Sequence, residues 1–195
     1  MSLNIKYSKE LEVERIKNTL NKLDWYDKHG YRPRLPENID LKHISTEDIY
    51  SYIEKDYKDD YSKISDEIKA GYKILEDAYI KELKEVFGNN IITDFDVTLT
   101  KYGVGGSYGL PNKIIINILF IKKPPTKILI HEICHLMVED HVLKNGILQR
   151  EKERVVDLIL NSKKFEFLNY DWWQDSYDNT EKYIDDLFER EFFKS

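Results

Sequence analysis

One cysteine in 195 residues leaves nothing for it to pair with, so an internal disulfide framework is excluded. No apolar run approaches the roughly 20 residues needed to span a bilayer, and Met1-Ser2-Leu3-Asn4-Ile5-Lys6 lacks the apolar core of a signal peptide. These absences make a cytoplasmic protein with no membrane partner the expectation. Charge of one sign is missing too. The 36 acidic and 30 basic residues are interspersed, and a net charge of -6 argues against a nucleic-acid surface. With five prolines and eight glycines, the chain contains no repeat or low-complexity segment. Its 41% hydrophobic content is enough, at this length, to bury a core.

Histidine is also scarce, five in the chain, yet two of them fall in His131-Glu132-Ile133-Cys134-His135. A shuffle of this composition would give the pattern HExxH with a probability of about 1%. On a helix, residues four apart return almost to the same direction, so both imidazoles share a face. That geometry suits one Zn²⁺ bound at about 2.0–2.1 Å. Glu132, beside the first ligand, is placed to act as general base toward a metal-activated water. The flanks agree with a helix. Pro124-Pro125 are expected to stand outside it with Thr126 as N-cap, residues 127–144 contain no Pro or Gly, and Asn145-Gly146 supplies a stop. Ile128, Leu129, Ile130, Ile133, Leu136, Met137, Val138, Val142 and Leu143 make this helix apolar on most sides, which implies burial. Unpaired buried His and Glu would cost several kcal/mol, and a metal would satisfy all three. Cys134 reads as a small buried apolar residue.

Catalytic zinc takes three protein ligands and leaves a position open. His141 follows His131 at the spacing of HExxHxxGxxH, but Val138 stands where that pattern needs Gly to end the helix. In an unbroken helix His141 would point about 240° away from His135 and sit about 9 Å further along. Glu153 is the better candidate. It lies on a second periodic segment, 148–160, where Val155, Val156, Leu158, Ile159 and Leu160 form an apolar stripe and Glu153 and Asp157 flank it four apart. Glu151, on the opposite border of the stripe, is the rival.

Across residues 128–160, with His131-Glu132-x-x-His135 followed by Glu153-Arg154-Val155-Val156-Asp157, the chain resembles the gluzincins, thermolysin-like zinc metallopeptidases, and especially their minimal members. The resemblance implies that His131, His135 and Glu153 bind Zn²⁺, that Glu132 is the catalytic base, and that Asp157 supports a ligand imidazole from behind. It implies a peptide or protein substrate. It also implies an α+β, zincin-like core: a small mixed sheet with an edge strand, a backing helix, the HExxH helix and a third-ligand helix. The Ile114-Ile115-Ile116-Asn117 run occupies the chain position of the edge strand that holds extended substrate in zincins.

The remaining segments read as scaffold. Residues 94–101 alternate as a half-buried strand, the glycine-rich 103–109 reads as a flexible turn, and 113–121 reads as a second strand. Residues 62–87 carry the three-and-four spacing of a long amphipathic helix, the expected backing helix. The first 60 residues are expected to form a helical extension, with helices at 8–23 and 46–56 joined by a proline-extended linker through Tyr31-Arg32-Pro33-Arg34-Leu35-Pro36. This region is either a prosegment across the cleft or a cap. The core is then 61–195, ending in an aromatic helical tail. His29 and His43 read as surface groups. Tyr102, Tyr108, His141 and Tyr170 are the candidate oxyanion donors. The competing functional reading keeps the zincin fold but makes it a catalytically latent binding or regulatory module. Nothing in the sequence fixes an oligomeric state.

Overall fold

The computed structural model describes residues 2–37, 43–58, 61–120 and 123–173, together with 185, 186, 188 and 192. Tyr177, Tyr183 and Phe193 of the aromatic tail, and Ile121 of the expected second strand, lie outside the described residues. In chain order the elements are β1 (Ser2–Lys6), α1 (Lys9–Leu20), α2 (Leu23–Lys28), α3 (Thr46–Asp56), α4 (Tyr61–Phe87), β2 (Asp94–Thr100), β3 (Gly106–Gly109), β4 (Lys113–Asn117), α5 (Pro125–Asn145) and α6 (Gln149–Leu160). A 3-10 turn, Lys163–Leu168, follows. This is a mixed α+β arrangement around a four-stranded sheet ordered β1-β2-β4-β3.

β2 buries Phe95, Val97 and Leu99 on one face, as its alternation requires. β1 and β4 flank it in parallel, and β3 returns antiparallel along β4. β1 was not legible as a strand, and its presence means the first 60 residues are not purely helical. Its register on β2 is reinforced by polar side chains on the outer face. Ser2 Oγ donates to Asp94 at 2.5 Å, and Asn4 Nδ2 donates to Asp96 at 2.7 Å. The expected substrate edge is also displaced. β4 lies inside the sheet between β2 and β3, so Ile114 and Ile116 are core residues and the free edge beside α5 is the glycine-rich β3.

α5 is the central element, contacting α4, α6, β3 and β4. Every residue from 128 to 138 is buried, in keeping with its all-round apolar character. It begins two residues earlier than expected, and Thr126 is not its cap. Pro124 is the N-cap and Pro125 occupies the first helical position, where the missing N–H has no helical partner to lose. It ends at Gly146, which takes the left-handed conformation (φ 63°) while Ile147 N–H bonds back to Val142 O at 3.0 Å. α4 crosses α5, and the buried Tyr79 hydroxyl donates to Ile130 O at 2.9 Å. A smaller cluster of Val13, Ile16, Ile49, Ile53 and Tyr102 joins α1 and α3 to the sheet end.

Candidate metal centre

The i,i+4 spacing on α5 brings the Nε2 atoms of His131 and His135 to 2.9 Å from each other. α6 folds back across the short Gly146 turn and delivers Glu153, whose Oε2 stands 3.3 Å from His131 Nε2 and 3.0 Å from His135 Nε2. These three residues form the one group of ligand-type side chains close enough to share a metal ion among the described residues. Ligand atoms on a tetrahedral zinc stand about 3.3 Å apart, so the observed triangle fits that ion with little adjustment. Two unprotonated imidazole nitrogens would repel at this distance. A cation between them would remove that repulsion.

Electrostatics matches the geometry. Burial would push the Glu153 carboxyl up, but the His135 and His131 imidazoles outweigh it and hold it well below the usual carboxylate range. Burial pulls His135 down. At His131 burial acts in the same sense but is overcome by the Glu153 hydrogen bond and by the charges of Glu132 and Glu153, so its pKa rises. Glu132, on the same turn, is driven the other way: burial raises its carboxyl to about 7, against the opposing influence of His131. A carboxyl with that affinity for protons can both take and return one near neutral pH.

Aromatic groups fix the two imidazoles. The Tyr170 hydroxyl meets Nδ1 of His131 at 2.6 Å, and Trp172 packs with its ring 4.9 Å from that imidazole. With Nε2 given to a metal, Nδ1 carries the proton and donates to Tyr170. Asp157, expected behind a ligand imidazole, is fully buried in the same neighbourhood, and its charge acts on both His131 and Tyr170. The group at His131 Nδ1 is nevertheless the phenol. His135 is held by stacking: the Tyr108 ring lies parallel to it at 4.9 Å. The Tyr108 hydroxyl donates to Glu139 at 2.5 Å and accepts from Lys152, whose ammonium is 3.8 Å from Glu139.

Of the candidate oxyanion donors, the fold brings Tyr108 and Tyr170 to the cluster and takes the other two away. Tyr102 donates to Asp56 at 3.1 Å, and His141 packs on Phe192. The rival ligand Glu151 is spent on its own helix, accepting the Leu148 N–H at 2.7 Å. Cys134 is buried, which raises its thiol pKa, and it takes no part in the ligand group. His29 bonds to Trp25 O at 2.8 Å through Nδ1.

Two participants come from unexpected places. Gly106 of β3 lies so close to Glu132 that a Cβ there would overlap the carboxylate oxygen. Tyr31, from the linker after α2, places its hydroxyl 3.5 Å from Glu153 Oε1, which also accepts from Gln149 Nε2 at 3.1 Å. Gln149 was findable, four residues before Glu153 on the same helix face. Tyr31 was not, because 122 residues separate it from its partner. No helix among the described residues is long and apolar enough to cross a membrane. The chain matches no known family model, and no curated protein or solved structure shows significant similarity to it.

Proposed function

We propose that the chain is a zinc-dependent peptidase with a zincin-like core, using His131, His135 and Glu153 as metal ligands and Glu132 as general base. The observation that carries this reading is the convergence of two Nε2 atoms and one carboxylate oxygen within 3.3 Å, on buried helices, beside a carboxyl raised to about 7. Bound zinc would supply Lewis acidity, activating a water and polarising the scissile carbonyl. The chain's own residues do the rest. Glu132 takes a proton from the attacking water and passes it to the leaving amine. Tyr170 fixes the His131 tautomer, and the Tyr108 stack fixes the His135 ring plane. β3, at the sheet edge against Glu132, offers backbone to an extended peptide.

The decisive test is elemental analysis of protein purified without chelator, alongside Glu153→Ala and Glu132→Gln. The reading expects about one zinc per chain, sharply reduced by Glu153→Ala. It expects Glu132→Gln to retain the metal and lose peptide hydrolysis. Wild-type protein that takes up no zinc even on reconstitution would end the proposal. The burial of His131, His135, Glu132 and Glu153 favours one second reading, a metal-loaded but latent binding module. Full metal occupancy with no turnover on any peptide would support it.

A further inference from the structure

His131 and His135 are 2% exposed, Glu132 6% and Glu153 8%, so no polypeptide can reach the cluster unless something moves. The segment placed to move is 31–36. Tyr31, Pro33 and Leu35 are half-buried while Arg32 and Arg34 are exposed, the alternation of an extended strand. Arg34 pairs antiparallel with Gly103 through both backbone bonds, at 2.9 and 2.8 Å. Tyr31 stands three residues before Arg34 in the chain, and Gly106 three residues after Gly103. Gly106 is the residue that abuts Glu132, and the Tyr31 hydroxyl reaches Glu153 Oε1 at 3.5 Å. The segment is thus anchored at Gly103 by Arg34 and reaches the cluster through the Tyr31 hydroxyl at Glu153.

Its backbone is held at two points, Tyr31 N–H to Tyr26 O at 2.9 Å and the Arg34 bridge, and the Tyr31 ring stacks on Trp25 at 5.7 Å. Pro36, at the next hydrogen-bonding position, has no N–H to give, so the two-bond bridge cannot extend in that direction. A cleft of about 250 Å³ opens between Tyr31, Pro33 and Leu35 on one side and Leu23 and Tyr26 on the other. A short bridge with an unfilled flank belongs at the low end of local stability. The platform beneath the bridge is firmer. Gly103 sits at φ +80° with the buried Arg15 guanidinium packed where a Cβ would be. What the segment presents to the cluster is a side-chain hydroxyl, which has no bond to cleave.

We infer that residues 31–36 are an internal pseudosubstrate, a strap bridged antiparallel to Gly103 with its Tyr31 hydroxyl at Glu153, in the way of an extended peptide approaching the cluster. Peptides enter only when the strap lifts. The word pseudosubstrate rests on the peptidase reading. The gating itself is measured without metal or turnover.

The test is carbethoxylation of metal-free, full-length protein with diethyl pyrocarbonate, read histidine by histidine by mass spectrometry. Wild-type protein is compared with Tyr31→Ala and with Arg34→Pro, which deletes the bridging N–H. His131 or His135 should react about tenfold faster in either variant, with the exposed His43 as internal reference. Unchanged rates in a variant that keeps its near-ultraviolet circular dichroism would overturn the strap. If neither variant folds, hydrogen exchange of the wild type decides. The Arg34 and Gly103 amides should exchange through local opening, about tenfold or more ahead of Ile133 in α5. Exchange of all three in step would make the strap a fixed part of the core and overturn its gating role. Failure to bind zinc would end the peptidase reading and leave these rates intact, so the two failures are separable.

Discussion

Gly106 and Glu132 touch: the Cα of the strand residue stands where any side chain would strike the carboxylate of the helix residue. The absence of a side chain is what lets the sheet edge approach that carboxylate. Gly106→Ala would also meet Ile128 Cγ2 at 2.8 Å, so Glu132 and the strand must both yield. The expected outcome is a stability loss of about 1–3 kcal/mol with metal content retained. Peptide hydrolysis should fall at least about tenfold, because the proposed base is displaced. Metal analysis, thermal melting and peptide hydrolysis on one preparation check all three.

Tyr170→Phe isolates the hydroxyl that meets His131 Nδ1 at 2.6 Å. The ring and its packing remain, so folding should suffer by only about 1 kcal/mol. Metal affinity should fall by about 10–100-fold, because the imidazole loses the partner that sets its tautomer and direction. Competition with a chromogenic chelator measures it. Unchanged affinity would transfer the orienting role to Asp157.

The third prediction concerns Glu12, far from the cluster. This buried carboxylate accepts from the Tyr61 hydroxyl, from Thr100 Oγ1 at 2.5 Å and from Lys101 N at 2.8 Å, tying α1 to α4 and the end of β2. Burial raises its pKa despite those three donors. A carboxyl with a higher pKa folded than unfolded binds more protons when folded, so it stabilises most at low pH. That contribution is lost as pH rises through the folded value. Glu12→Gln removes the titration. The melting temperature of the variant relative to wild type should therefore climb as pH rises above the ordinary carboxylate range. A flat or falling difference would contradict the raised pKa.

What was readable in the sequence is what depends on neighbours along the chain. His131 and His135 are four apart on one helix, and Glu153 lies on the border of the next helix's apolar stripe, so local periodicity brings all three to one place. α4 and β2 announced themselves in the same way. β1 did not, because five residues with a half-buried alternation are a weak signal and their partner, Asp94–Thr100, lies some 90 residues away. The order of strands across the sheet is equally non-local, which is why Ile114–Ile116 looked like an edge and sit in the centre. Residues 106–109 misled for a different reason. Glycine weakens strands in general, yet here its small size is what fits a strand against Glu132. Tyr31 belongs with β1, since only the tertiary fold brings the linker to Glu153.

The parallel pairing of β1 with β2 has a consequence for synthesis. Ser2–Lys6 leaves the ribosome about 90 residues before the strand it needs, and at about 5–20 residues per second that is a wait of about 5–20 s. Through that interval the segment is an unpaired strand, the kind of surface on which nascent chains stick to one another. The serine, asparagine and lysine on its outer face, which later bond to Asp94 and Asp96, keep one side of it wet until the partner arrives. The same three side chains thus guard the strand while it is alone and set its register when it is not.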